Sequence, residues 1–382
     1  SGGATEIAGV TLHSCKIWTA ALSSAQLADE IVQVEPVYQS NIYGWYFFDN
    51  SADKWNDRSG NGHHFTLIGT STHTADKPST VDETIGTGSQ VFSVATTGND
   101  TTGDGSLTNP YASITKALTV VASGDTILVA DGTYSENTVS TGYFRPTQIF
   151  SSYVTIRSAS GIASNVIIQG ASNATYNTLI QNNAAYIRFE NVTFGMRLST
   201  NGSALRLANS NNIQFVGCKF VTQSDSGGTR YGVLLQPSGA TVIDNILFDN
   251  CTWTQTGTFA ARGVSVVWTS GNTISNISLT NCTATMQADR LYLQGGGYTI
   301  TGGSYTSTDT HAILFGADSN TGGNLTTGSI SGATATCTNG HGLLIGNNAG
   351  GVTATDCVCS GGDYGIVIKE NTGATVTSCT AT

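Results

Sequence analysis

Tyr186-Ile-Arg-Phe-Glu-Asn-Val192, Asn212-Ile-Gln-Phe-Val-Gly-Cys218, Asn245-Ile-Leu-Phe-Asp-Asn-Cys251 and Asn276-Ile-Ser-Leu-Thr-Asn-Cys282 are four copies of one phrase. In each, apolar residues alternate with polar ones, the period of a strand with one buried face. Weaker copies end at Gly303, Ala333, Cys357 and Cys379, and successive copies lie 26, 33, 31, 21, 30, 24 and 22 residues apart. A repeat of this length marks a solenoid, and uneven spacing follows when one turn of each coil carries loops of different length. A second phrase follows the first: Ala204-Leu-Arg-Leu207, Gly232-Val-Leu-Leu235, Gly263-Val-Ser-Val266, Arg290-Leu-Tyr-Leu293, and onward to Gly365-Ile-Val-Ile368. One such coil cannot bury its inner face alone, but about eight or nine in register form a continuous core. The fold predicted is all-β, a right-handed single-stranded parallel β-helix running from residue 91 to the end, with rungs from about residue 124.

Aligning the phrases sorts several residues into columns. Cys218, Cys251, Cys282, Cys357 and Cys379 share one inward position, where each serves as a small apolar filler. A ladder of buried thiols is expected there, with oxidation of one stacked pair as the alternative. Cys357-x-Cys359 lacks the C-x-x-C spacing of a metal-ligand pair, and no zinc site is read there. Asn191, Asn250 and Asn281 share a turn column and are expected to form an asparagine ladder. Turn chemistry also accounts for the Asn-x-Ser/Thr sequences at Asn173, Asn191, Asn250 and Asn281.

Only 10% of the 382 residues are charged, and 25 acidic against 15 basic residues give a net charge of −10. No Lys/Arg run is present to neutralise a phosphate backbone, so nucleic acid is excluded as a partner. No apolar run reaches the length of a membrane span. The chain opens with Ser1, without a basic-then-apolar leader.

Residues 1–72 read differently. Ile7 to Trp18 alternates as a strand, and Ala21 to Val32 as a helix with Ser23 as N-cap and Leu22, Leu27 and Ile31 on one face. Tyr43, Trp45, Tyr46, Phe47 and Phe48 follow, then Asp57-Arg58-Ser59-Gly60-Asn61-Gly62-His63-His64. The order Ile17-Trp18, Ala21 to Ala28, Gly44 to Tyr46 and Asp57 to His63 resembles the C-terminal part of a concanavalin-A-like (laminin-G-like) jelly roll. That resemblance implies a partial, sugar-associated accessory module whose first half lies elsewhere. The His63-His64 pair is read as part of a solvated turn, and residues 73–90, with Pro78, as a linker.

Phe92 to Ala95, the loop Gly98 to Gly105, Asn109-Pro110, a helix over Ser113 to Val121, and then Gly124-Asp125-Thr126-Ile127-Leu128-Val129 and Gly132-Thr133-Tyr134 come next. This succession resembles the N-terminal capping region (91–122) of the pectin-lyase-like β-helix superfamily, in which a short amphipathic helix covers the open end of the first rung. The resemblance implies polysaccharide or cell-surface glycan as partner, work outside the cytoplasm, and lyase or hydrolase activity. The calcium-binding aspartate clusters and paired aspartates of such enzymes are not evident in this sequence. No cofactor is therefore expected, and Ca²⁺ is left without a clear site.

The residue before each second phrase forms a column: Ser203, Tyr231, Arg262, Asp289, His311, His341 and Tyr364. A chain so sparing of charge places Arg262, Asp289, His311 and His341 in one line, and these are the candidate catalytic residues. A polysaccharide lyase needs a cation for the uronate carboxylate, a base for the C5 proton and an acid for the leaving oxygen. Arg262, a histidine and a tyrosine are of those types. A hydrolase needs two carboxyl groups, and Asp318 and Glu370 are the nearest partners for Asp289. Tyr231, Tyr364, Trp268, Lys369 and Glu370 complete the candidate substrate-binding set, and no metal ligands are assigned. Three readings stay open: a glycan-binding segment of a phage tail spike, fibre or surface adhesin, a secreted polysaccharide lyase or glycoside hydrolase, and a structural fibre segment without catalysis. The chain ends within a rung and without a capping sequence, so a further C-terminal part and homotrimeric assembly are expected.

Overall fold

The apolar residues of each phrase are the ones that vanish from solvent. Ile187 and Phe189, Ile213 and Phe215, and Ile246 and Phe248 are fully buried in the computed structural model of the chain. It describes residues 14–22, 26, 42–47, 90–136, 144–169, 176–180, 183–195, 202–224, 230–237, 241–257, 260–267, 272–288, 290–316, 326–347, 349–369 and 373–382. The chain divides into two compact units, Ser1–Gly86 and Thr87–Thr382. In the first, strands Ser14–Trp18 and Ile42–Phe47 pair antiparallel. Most of the helix expected from Ala21 to Val32, and all of Asp57–His64, lie outside the described residues.

The second unit is a parallel β-helix with three strand faces. The first face holds Ala184–Glu190, Ser210–Val216, Val242–Asp249, Thr273–Thr280 and Gly296–Thr301 within an 11-stranded sheet. The second holds Lys219–Ser224, Thr252–Gly257 and Thr283–Met286, and the third holds Gly202–Leu207, Arg230–Leu235, Ala261–Val266 and Leu291–Leu293. Two long strands, Ser304–Phe315 and Thr334–Ile345, run through both the second and third faces and join them into one 16-stranded sheet. Pairing is rung on rung: Phe189 opposes Phe215, and Phe215 opposes Phe248.

In-register pairing turns identical residues into stacks. Phe189, Phe215 and Phe248 lie nearly parallel, with centroids 5.4 and 5.0 Å apart. Phe194, Phe220 and Trp253 form a second stack at 5.3 and 5.4 Å. The two columns meet edge to face, as at Phe215–Phe220, 5.6 Å. Both arrangements suit the ring quadrupole and add to the burial itself. Gly232 makes room for this packing, because a Cβ there would stand 2.6 Å from Cδ1 of Trp253.

Each coil turns from the first face to the second through a single left-handed residue. Asn191, Asn250 and Asn281 hold it with φ of 50, 51 and 49°, Gly217 and Gly302 with 61 and 64°. Asn and Gly are the residues that adopt this region at least cost. The expected asparagine ladder is not in this column, since Asn250 Nδ2 donates sideways to Asp249 Oδ1 at 2.9 Å. It lies in a second left-handed column within the first face, which holds Tyr186, Asn212, Asn245 and Asn276. There Asn245 Nδ2 donates to Asn212 Oδ1 at 2.5 Å and Asn276 Nδ2 to Asp244 Oδ1 at 2.8 Å, each bond crossing one rung.

The capping helix is shorter than the Ser113–Val121 expected: it spans Ile114–Leu118, with Ser113 as N-cap and Ile114, Ala117 and Leu118 buried. Its first turn is held from below by Glu136, whose carboxylate accepts from Ile114 N (2.7 Å), Thr115 N (3.0 Å) and Thr115 Oγ1 (2.5 Å). Asp100 accepts from Ala112 N and Ser113 N just upstream. The seven cysteines of the second unit are free thiols. Cys218, Cys251 and Cys282 donate to Phe189 O, Phe215 O and Phe248 O at 3.3–3.4 Å, so each thiol bonds the backbone of the preceding rung.

Outward positions change character along the helix axis. On the first face, the columns that hold Arg188 and Glu190, then Gln214 and Val216, then Leu247 and Asp249, become Ser278-Leu-Thr280, Thr299-Ile-Thr301, Ser329-Ile-Ser331, Thr353-Ala-Thr355 and Thr375-Val-Thr377. The second face likewise reads Thr252-Trp-Thr254, Thr283-Ala-Thr285, Ser304-Tyr-Thr306 and Thr334-Ala-Thr336 in register.

Three outcomes are expected. Phe215→Ala, which empties the centre of the first aromatic stack and removes its edge contacts with the second, lowers unfolding free energy by about 3–5 kcal/mol in denaturant titration. Burial raises the Glu136 carboxyl above its ordinary 4.5. Its contribution to stability is therefore full below the ordinary value and is lost as pH rises through the folded value. The Tm of Glu136→Gln relative to wild type should accordingly improve from pH 4 to pH 7, and a constant difference would refute the assignment. Burial also raises the thiols of Cys251 and Cys357. In native protein a thiol reagent should therefore reach half-exposed Cys379 first among the ladder cysteines, the others responding only after unfolding.

Candidate functional site

The third face begins, on each rung, at the corner where the chain leaves the second. In the long strand Ser304–Phe315 that corner is Thr310, at φ 62°. The residue after it starts the third face, and register shows which residues share this position. Ser203 opposes Tyr231, Tyr231 opposes Arg262, His311 opposes His341, and His341 opposes Tyr364. Between the rungs of Arg262 and His311, Leu291 pairs with Val264 on one side and Ile313 on the other. The side chains of Asp289, Trp268, Asp318 and Glu370 lie outside the described residues. Lys369 follows the last third-face strand, and its backbone N donates to Ile345 O at 2.9 Å.

The described side chains of the column touch one another. His311 and His341 stack with centroids 5.1 Å apart and planes 15° from parallel. Tyr364 lies 5.6 Å beyond, tilted by 44°, and is 65% exposed. His311 is buried while His341 is half-buried. At the other end, the guanidinium of Arg262 sits over the Tyr292 ring, 4.6 Å from its centroid. Such a contact holds a cation in place without neutralising it. Gln294 Nε2 in turn donates to the Tyr292 hydroxyl at 2.7 Å.

The corner beneath the column is stiff. Arg290 is fully buried, and its guanidinium donates to Thr306 O and Ala288 O. Ser307 Oγ donates to Asp309 O at 2.6 Å. Gly263 is small for the same reason, because a Cβ there would meet Arg290 O at 2.4 Å. The bond from Arg290 to Thr306 O ties this corner to the next rung.

Sequence reasoning missed three members of this surface. Tyr292 sits outside the aligned column, and only the register shows Arg262 reaching it. Asp309 and Asn339 stand two residues before each histidine, on adjacent rungs, and Asn339 Nδ2 donates to Asp309 Oδ1 at 3.2 Å. Their signal was present in the phrases Asp309-Thr-His311 and Asn339-Gly-His341. A separate polar cluster lies on the first face near the N-terminal end. There Arg188 pairs with Glu190 and donates to Gln214 Oε1, and Tyr153 packs edge-on to Tyr186, 5.5 Å between centroids. Burial raises the Tyr153 phenol, with a hydrogen bond to Gln214 opposing it. Among the described residues no group of three or more His, Cys, Asp or Glu side chains is arranged to hold a metal ion. Nor is any described helix long and apolar enough to cross a membrane.

A family profile described as "Protein of unknown function (DUF1565)" matches residues 96–380. No curated protein matches the chain in sequence. Among solved structures, pectate lyase Pel9A is similar at 14% identity over 72% of this chain and 70% of its own, with a TM-score of 0.53. A structure named as a glycoside hydrolase is similar at 11% identity over 76% of this chain and 96% of its own, with a TM-score of 0.51. At these identities the likeness is one of fold, the parallel β-helix that polysaccharide-processing enzymes also use.

Proposed function

From a chain that belongs to the DUF1565 family, matched over most of its length, and that carries a parallel β-helix, we infer a glycan-binding protein with its contact surface along the third-face corner. The observation that carries this reading is the in-register row Tyr231, Arg262, His311, His341 and Tyr364. Adjacent rungs are about 4.8 Å apart, close to the rise per sugar of an extended pyranose chain. A glycan lying along the axis thus meets one side chain of the row per sugar. Tyr231 and Tyr364 offer ring faces, Arg262 a fork for a carboxylate, and the histidines proton acceptors. Fold alone confers no activity, so the argument rests on this row and not on the likeness to pectate lyase.

The chemistry these residues suit is β-elimination on a uronate. His341 takes the C5 proton of one uronate and Tyr364, exposed beside it, donates to the leaving oxygen, while Arg262, held over Tyr292 three rungs or about 14 Å away along the axis, pairs with the carboxylate of another uronate of the same polymer. The place of such a protein is outside the cytoplasm, as the polymer-facing part of a tail spike, fibre or surface adhesin working as a homotrimer. The N-terminal unit serves as a lectin-like accessory.

The test is incubation with polygalacturonate, alginate and a neutral xylan, following unsaturated-uronate absorbance and reducing ends together. Both signals are expected to rise on an acidic polymer, and His341→Ala should lower the rate by about 10²–10⁴-fold. Arg262→Ala should weaken retention on the same immobilised polymer. Retention that survives both substitutions would remove the row from the site. Reducing ends without absorbance would replace elimination by hydrolysis.

A further inference from the structure

The hydroxyl rows of the C-terminal rungs serve neither the core nor the proposed glycan row. On the first face, the two outward columns that begin at Ser278 and Thr280 hold only Ser or Thr through Thr375 and Thr377, with glycines Gly297 and Gly351 at outward positions beside them. On the second face the same holds from Thr252, with Val358 the exception before Thr380. Strand propensity does not explain this, since Val, Ile and Tyr suit strands equally. Solvent exposure does not explain it either, since earlier rungs fill the same columns with Arg188, Glu190, Gln214, Asp249 and Lys219. Charge and aromatic rings are absent from both arrays, so neither a charged polymer nor a sugar ring finds its usual contacts there.

What the arrays offer is a period in two dimensions. Hydroxyls recur about every 4.8 Å from rung to rung and about every 6.6 Å along a strand. Each threonine adds a methyl group at the same lattice point. The side chains are exposed or half-buried, as at Thr285, Thr301 and Thr353. The inward residues between them, Ile300, Ala335 and Ala354, are fully buried. A one-dimensional chain could use only one row of such a surface; a ligand that uses all of it is itself a two-dimensional lattice.

We propose that these two faces bind the surface of ice. The rung repeat is close to the oxygen repeat along the a axis of hexagonal ice. Methyl groups order the water around them, and the hydroxyls between them bond that water in place. The parallel rungs hold the array rigid before contact, so little conformational freedom is lost on binding.

The experiment uses the full chain and ice as the probe. Single ice crystals are observed in a nanolitre osmometer, and partition of the protein into a slowly growing ice hemisphere is measured. Faceted crystals and enrichment in the ice fraction are expected. Thr285→Tyr and Thr301→Tyr, at exposed centres of the second and first faces, should each reduce both signals, and together abolish them, with Tm and circular dichroism unchanged. Round crystals with the wild type left in the liquid overturn the proposal. Equal ice activity in wild type and the double variant also overturns it, as does retention on crystalline cellulose without ice shaping. None of these outcomes touches the third-face row, whose own substitutions leave both hydroxyl faces intact.

Discussion

Everything in the second unit depends on stacking parallel strands in register. A single coil of three short strands has no core, and its inner side chains are covered only by the same side chains one rung away. This is why Phe189, Phe215 and Phe248 repeat at one position, and why Cys218, Cys251 and Cys282 repeat at another. Each stack has little tolerance for a change of size, because like must sit on like at the strand spacing. The same constraint sets the turns. A chain that must leave the first face at the same angle on every rung needs a left-handed residue at that corner, supplied by Asn or Gly on most rungs and by Asp356 and Ser378 on the last two.

Register also explains which parts of the structure could be read from the sequence. Inward columns are visible because burial restricts them to apolar residues at period two, and the phrases align by eye. The turn column was visible through Asn191, Asn250 and Asn281, but the bonding between them was not. Asn250 and Asn212 are equally good ladder residues by type. Only the local geometry shows that the amide of Asn245 reaches Asn212 whereas that of Asn250 turns to Asp249. The capping helix was legible from Ile114, Ala117 and Leu118, yet its length was not. Its C-terminal boundary depends on where backbone bonding stops, and Val120 and Val121 continue the apolar pattern past that point.

The candidate row sits between these cases. Its members follow from alignment, since the residue after a corner stays after the corner on every rung. Side-chain reach does not follow. Arg262 extends to Tyr292, three residues past the aligned position on the next rung, and a column-by-column reading has no means of finding a diagonal contact. The acidic group nearest the histidines in sequence, Asp309, was overlooked because it belongs to the end of the second face. In the three-dimensional structure the long strand carries it through the corner into the same surface.

Outward positions carry no packing constraint, so their composition records use rather than fold. On the third-face corner the residues vary from rung to rung, as a surface that meets unlike groups along a polymer would require. On the first and second faces of the C-terminal rungs two columns vary little: hydroxyl follows hydroxyl, Val358 apart, although nothing in the core demands it. The varied row carries the proposed glycan contact and the uniform lattice the proposed ice contact, one resolved along a single axis and the other spread over a plane. The stacked core makes both achievable, because it fixes the outward side chains at the strand spacing whatever their identity. Uniformity in a place where the fold permits anything is therefore the stronger sign of selection for a surface, and variation confined to one column is the sign of a sequence of distinct contacts.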